Sequence, residues 1–304
     1  CREAFVELLD RGSENNRPLG LAQPSSSKML CMRLVVALLW LVGASLGLKR
    51  RPAPPFNDPD FVPAHATPVL YVHGINSRTM AFRQNAEHLR DHGFWVWGYD
   101  YGDMIAPGFF GIGDLDEIVG DVAENVDHVL AETGAEQVDI VAHSQGGLMV
   151  KLYIADGGAD KVRRVVALGG NFHGTDFHGR VSWLHPLLTR WPWLGMLFAT
   201  RGASQQLAGS PWSTERSNVP DTDPRVMYTS LYSPADTVVT PTSASELLPI
   251  DGADVANINV ADFYDGYAPL HPLMPRDPLL AELTRWGLER APGEHEPPES
   301  AART

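Results

Sequence analysis

Between residues 67 and 290 short apolar runs alternate with segments of helical periodicity. The runs 69–73, 94–99, 138–142, 162–168, 226–232 and 256–260 are rich in Val, Ile, Leu and aromatic residues and lack strict polar alternation, as expected of strands buried on both faces. Between and after them, 80–91, 115–133, 147–155 and 278–290 read as helices. The second is the clearest, with Ile118, Val122, Val126, Val129 and Leu130 at helical spacing after Asp114 as a cap. Gly93 and Gly134 end the first two helices. Strand–helix alternation of this kind predicts an α/β fold, a mostly parallel twisted sheet with helices on both faces.

The flanks read differently. Residues 1–33 form a polar leader expected to lie outside the mature protein. A basic lead, Lys28 to Arg33, then precedes fifteen uncharged residues, 34–48, that end near small side chains. That is the pattern of a secretory signal peptide. Lys49-Arg50-Arg51 directly after it keeps a signal anchor open as the alternative. Residues 49–66 are Pro-rich and read as an extended linker, and 291–304, rich in Pro and Glu, as a disordered tail. The expected location is therefore outside the cell or on its surface.

Within the body, the run 138–142 leads straight into Ala142-His143-Ser144-Gln145-Gly146-Gly147 and then into the helix 147–155. Small-x-Ser-x-Gly in a strand-to-helix turn is a nucleophile elbow. The turn is tight, so its flanks must be small, and it lifts the Ser144 hydroxyl above the sheet edge, where the helix N-terminus favours developing negative charge.

A serine needs a base and an acid. In the chain order nucleophile, acid, histidine, His271 is the one base that follows a suitable acid outside the polar tail, where His295 lies; His173 is the fallback. Asp236 follows the strand 226–232 and is the preferred acid, with Asp251 and Asp254 as rivals. Two backbone N–H groups should hold an oxyanion: Gln145, next to the serine, and Ile75, after the strand-ending His73-Gly74. The His73 ring is expected to order that loop, and His143 to be a packing residue.

Residues 177–206 break the α/β rhythm. Trp183, Leu187, Trp191, Trp193, Leu194 and Phe198 make this stretch dense in large apolar groups, which predicts a lid over the site, or a helical pair packed on the core.

Composition narrows the partners. The chain has 304 residues and a net charge of −13, and no basic stripe in the body suggests a nucleic-acid surface. Its only cysteines are Cys1 and Cys31, so the body can form neither a disulfide nor a Cys-based metal site.

Taken together, Tyr71-Val72-His73-Gly74, Gly98-Tyr99-Asp100-Tyr101-Gly102, the elbow with its strand, Asn171-Phe172-His173-Gly174-Thr175, Gln205 to Ser210 and Asp236 to Pro241 resemble the class 2, actinobacterial-type triacylglycerol lipases of the α/β-hydrolase superfamily. The resemblance spans about 68–290. It implies a secreted hydrolase of acylglycerols or similar esters working at a lipid–water interface without a cofactor. Its triad falls on Ser144, Asp236 and His271, and its oxyanion donors on Ile75 and Gln145. Two departures stand out: the stretches around Ala203 and 261–268 lack the disulfide such lipases often carry, and Leu270 precedes the histidine where Asp or Ser is common. An acyltransferase using the same acyl-serine, and a non-catalytic lipid-binding protein on this fold, are the other readings.

Overall fold

The computed structural model describes residues 55–104, 106–176, 200–299 and 301. The leader, the apolar run 34–48 and all six apolar residues proposed for the lid lie outside them.

Six parallel strands form one sheet in the order β2-β1-β3-β4-β5-β6: β1 Val69–Val72, β2 Val96–Gly98, β3 Val138–His143, β4 Val162–Leu168, β5 Met227–Tyr232 and β6 Asp254–Asn259. The expected α/β-hydrolase architecture is therefore present. The principal helices are α1 Arg83–Asp91, α2 Leu115–Thr133, α3 Gln145–Ala155 and, last in the chain, Pro278–Glu289. The alternation of side chains along β1 explains the layers. Leu70 and Val72 face α2 and α3, while Val69 and Tyr71 face α1 and the last helix, so each face of the sheet has its own apolar core. Ile118, Val122, Val126 and Val129 form the buried stripe of α2, whose ends are set by the Asp114 side chain on the Asp116 N–H and by left-handed Gly134.

Two expectations are corrected at the flanks. The lead does not run free to residue 66: Phe56 is buried, and the Asn57 amide pairs with both the N–H and the carbonyl of Gly98, covering the β2 edge. The tail is not detached either. Glu294 accepts from the Trp286 indole, the Pro298 carbonyl accepts from Tyr264, and Ala301 is buried. Pro- and Glu-rich composition suggested disorder, but buried donors on the last helix and at Tyr264 supply the partners that fix these residues.

Candidate active site

All the chemistry-bearing ends of this sheet lie at the C-terminal ends of its strands. β3 ends at His143, and Ser144 links it to α3 with φ 55° and ψ −123°. A non-glycine residue held at positive φ is strained, and such strain persists where the surroundings over-determine it. Here they do. A Cβ on Gly146 would stand 2.3 Å from the Val72 carbonyl oxygen, and one on Gly74 would stand 2.9 Å from the Ser144 Cβ. Only glycine lets α3 start this close to β1 and lets the loop after β1 pass beside the serine.

Asp236 lies in the turn after β5. Its Oδ1 accepts from the N–H groups of Val238 and Val239, at 2.8 and 3.0 Å, and its Oδ2 lies 2.6 Å from His271 Nδ1. Both side chains are buried. The carboxylate accepts, so Nδ1 carries the proton and Nε2 is left with its lone pair. Gly169, at the end of β4 with φ 53°, passes beneath the pair: a Cβ there would meet His271 Nδ1 at 3.2 Å and Asp236 Oδ2 at 3.3 Å. The Ser144 N–H donates to Leu168, the residue before Gly169. His143, expected only to pack, also donates from Nε2 to the His271 carbonyl at 3.1 Å. The elbow and the Asp–His pair are thus tied to each other from two sides.

The rival acids and bases are placed elsewhere. Asp254 sits at the N-terminal end of β6, the opposite edge of the sheet, paired with Arg290 and His295. Asp251 is exposed. His173 Nε2 faces Asp221 at 3.1 Å and the Glu246 carbonyl at 3.0 Å.

Neither the Ile75 nor the Gln145 N–H donates to a protein acceptor among the described residues. Both flank the position where Gly74 and Ser144 come together. His73 orders this loop, as expected: its Nδ1 donates to the Gly74 carbonyl, its Nε2 accepts from the Tyr101 N–H, and its ring stacks on Tyr101 with centroids 4.1 Å apart. Sequence reasoning missed the partners Tyr101 and Gln206, because nothing in local spacing says which distant side chains meet Gln145. Exposed Leu270 and Leu273 flank His271, and exposed Met104 and Phe109 stand on the loop that packs against Gly74. A cavity of about 270 Å³ opens beside α3, between Leu148, Leu152, Phe172 and Trp212, and none of Ser144, Asp236 or His271 lines it. Among the described residues, no group of three or more His, Cys, Asp or Glu side chains is placed to hold a metal ion.

Burial holds the His73 pKa down to about 4, against the opposing effects of its bond to Gly74 and of Asp100 3.9 Å away. The unfolded chain takes up this proton near pH 6.5 and the folded chain only near 4. Stability is therefore complete above 6.5 and declines as pH falls through that window, by on the order of 3 kcal/mol from this group. Urea unfolding between pH 7 and 4 should show the decline. In His73→Asn its slope should be smaller by about one proton; an equal slope in the variant would assign the decline to other groups.

Comparison with known proteins bears on the fold and the family. Residues 63–228 match the family described as "Serine aminopeptidase, S33". Among solved structures, Aspergillus fumigatus lipase B superposes with a TM-score of 0.57 at 19% identity, over 78% of this chain and 55% of that one. Bacillus licheniformis lipase BlEst2 in its propeptide form gives a TM-score of 0.50 at 18% identity, over 68% and 48%. The chain thus spans about half the length of these two lipases, and at such identities the likeness is one of fold. The match over more than half its length assigns the chain to the S33 family of α/β-hydrolases.

Proposed function

We propose that this α/β-hydrolase is a secreted serine carboxylic-ester hydrolase, a lipase or esterase acting on apolar esters, with Ser144, His271 and Asp236 as its triad. The observation that carries the reading is the 2.6 Å Asp236–His271 pair, whose histidine carbonyl accepts from His143, the residue before a serine held in an elbow at φ 55°. The Ser144 Oγ attacks the ester carbonyl as His271 Nε2 takes its proton. The N–H groups of Ile75 and Gln145 receive the charge that develops on the carbonyl oxygen. His271 returns the proton to the departing alcohol. Water, deprotonated by the same nitrogen, then attacks the acyl-serine, releasing the acid and restoring Ser144. Asp236 keeps the Nδ1–H tautomer and stabilises the imidazolium. Exposed apolar side chains next to the site, Leu270 and Leu273 beside His271 and Met104 and Phe109 on the loop that packs against Gly74, support an apolar substrate. The basic lead and apolar run before residue 49 support the extracellular location.

The test is an initial-rate series over p-nitrophenyl esters of increasing chain length, alongside aminoacyl p-nitroanilides, with labelling of Ser144 by a fluorophosphonate. Ester turnover that rises from acetyl to medium-length chains, together with Ser144 labelling, is the expected result. Turnover of the anilides in place of the esters would overturn it in favour of a peptidase, and an unlabelled, inactive protein in favour of a binding role. Acyl transfer would appear as ester product when a long-chain alcohol is added.

A further inference from the structure

The side chain of Gln145 is fully buried, and every polar site it carries that the fold can reach is used. Its Nε2 donates to the Gly111 carbonyl at 2.8 Å and to the Tyr101 hydroxyl at 3.2 Å, and its Oε1 accepts from Gln206 Nε2 at 2.5 Å. Both recipients of Nε2 lead to the loop that carries Ile75. Gly111 lies against that loop so closely that a Cβ on it would stand 2.8 Å from the Gly74 oxygen and 3.2 Å from the Ile75 Cα. Its neighbour Phe110 exchanges two backbone hydrogen bonds with Ser77, two residues beyond Ile75. Tyr101 donates its hydroxyl to the His73 carbonyl at 2.5 Å and stacks on the His73 ring, which in turn holds the Gly74 carbonyl. One amide therefore grips the Ile75 loop from behind and from its N-terminal side. On the opposite side Gln206, itself held by Asn171 and the Gly202 carbonyl, fixes the amide's orientation.

A residue chosen only to fill this space would be apolar, because a buried amide must find all its partners or destabilise the fold. We propose that the Gln145 side chain is the positioning group of the oxyanion site: it locks the loop bearing the Ile75 N–H at a fixed separation from the N–H of Gln145 itself. The inference rests on the ester-hydrolase reading. Its chemical consequence is specific. Substrate in its ground state barely senses donor spacing, whereas a tetrahedral oxyanion does.

The experiment compares wild type, Gln145→Met and Gln206→Met. It measures kcat and KM on a soluble short-chain p-nitrophenyl ester, the inhibition constant of an alkylboronic acid, and thermal unfolding. Boronate forms a tetrahedral adduct on the serine with an oxygen where the oxyanion would lie. Loss of one whole oxyanion donor costs about 10²–10³-fold in kcat, so a loosened pair in Gln145→Met should cost about 10–10²-fold at unchanged KM. Boronate affinity should fall in the same proportion, and Gln206→Met should show both effects several-fold. Wild-type kcat and boronate affinity in a folded Gln145→Met, or a kcat loss with unchanged boronate affinity, would overturn the proposal. If Gln145→Met does not fold, Gln206→Met decides it on the same two readouts. A wild-type protein that neither hydrolyses the ester nor reacts with a fluorophosphonate would instead overturn the underlying reading, so the two failures are distinct.

Discussion

Ser144→Ala and His271→Ala are each expected to lower kcat on a p-nitrophenyl ester by about 10⁶-fold, to the same residual rate, and the double variant to be no slower than either. The non-additivity follows from a single proton-transfer unit: without the hydroxyl there is nothing for the imidazole to deprotonate, and without the imidazole the hydroxyl is a poor nucleophile at neutral pH. The two variants should differ in stability. Ser144 makes no side-chain cap to α3, so its loss removes no hydrogen bond there, and melting should barely change. His271 is buried against Asp236, and its loss leaves Oδ2 without that donor while Oδ1 keeps Val238 and Val239. A cost of about 1–3 kcal/mol is expected. Active-site titration, steady-state rates and denaturant unfolding measure all three quantities. Near-wild-type turnover in His271→Ala, with His173→Ala inactive, would move the base to His173 despite its pairing with Asp221.

The sheet was legible because parallel strands are buried on both faces and so appear as continuous apolar runs. All six appear in the fold, with ends displaced by a few residues; β6, for instance, starts at Asp254 rather than 256. The elbow was legible because its sterics act within five residues, from Ala142 to Gly146. Asp236 and His271 could be nominated only through their positions after a late strand and before the last helix. What local patterning could not carry was pairing across long separations: Gln206 to Gln145, Tyr101 to His73, and His143 to the His271 carbonyl. The flanks failed for a related reason. The Asn57 amide on Gly98 and the Glu294 carboxylate on Trp286 are contacts between a polar segment and one distant donor, which composition averages away.

Asp236→Asn should lower kcat by about 10⁴-fold with KM nearly unchanged, and the local geometry gives the reason. One carboxylate oxygen of Asp236 accepts from two backbone N–H groups, Val238 and Val239, while the other accepts from His271 Nδ1. An asparagine has one oxygen and one NH₂ to place. Two donors already fix the oxygen on the backbone side, since an NH₂ there would face two N–H groups at about 3 Å. The NH₂ must therefore face His271, and it can hydrogen-bond only to a bare Nδ1. That choice puts the imidazole proton on Nε2, the nitrogen that has to accept from Ser144. The ring stays in place and the substrate surface is untouched, so binding survives while proton transfer is lost. Steady-state kinetics on Asp236→Asn, with Asp251→Asn and Asp254→Asn as controls, measures this directly. Both controls should turn over at wild-type rates, because Asp251 is exposed and Asp254 serves Arg290 at the far end of the sheet. A large kcat loss in either control with Asp236→Asn unaffected would remove Asp236 from the triad and, with it, the tautomer argument for His271.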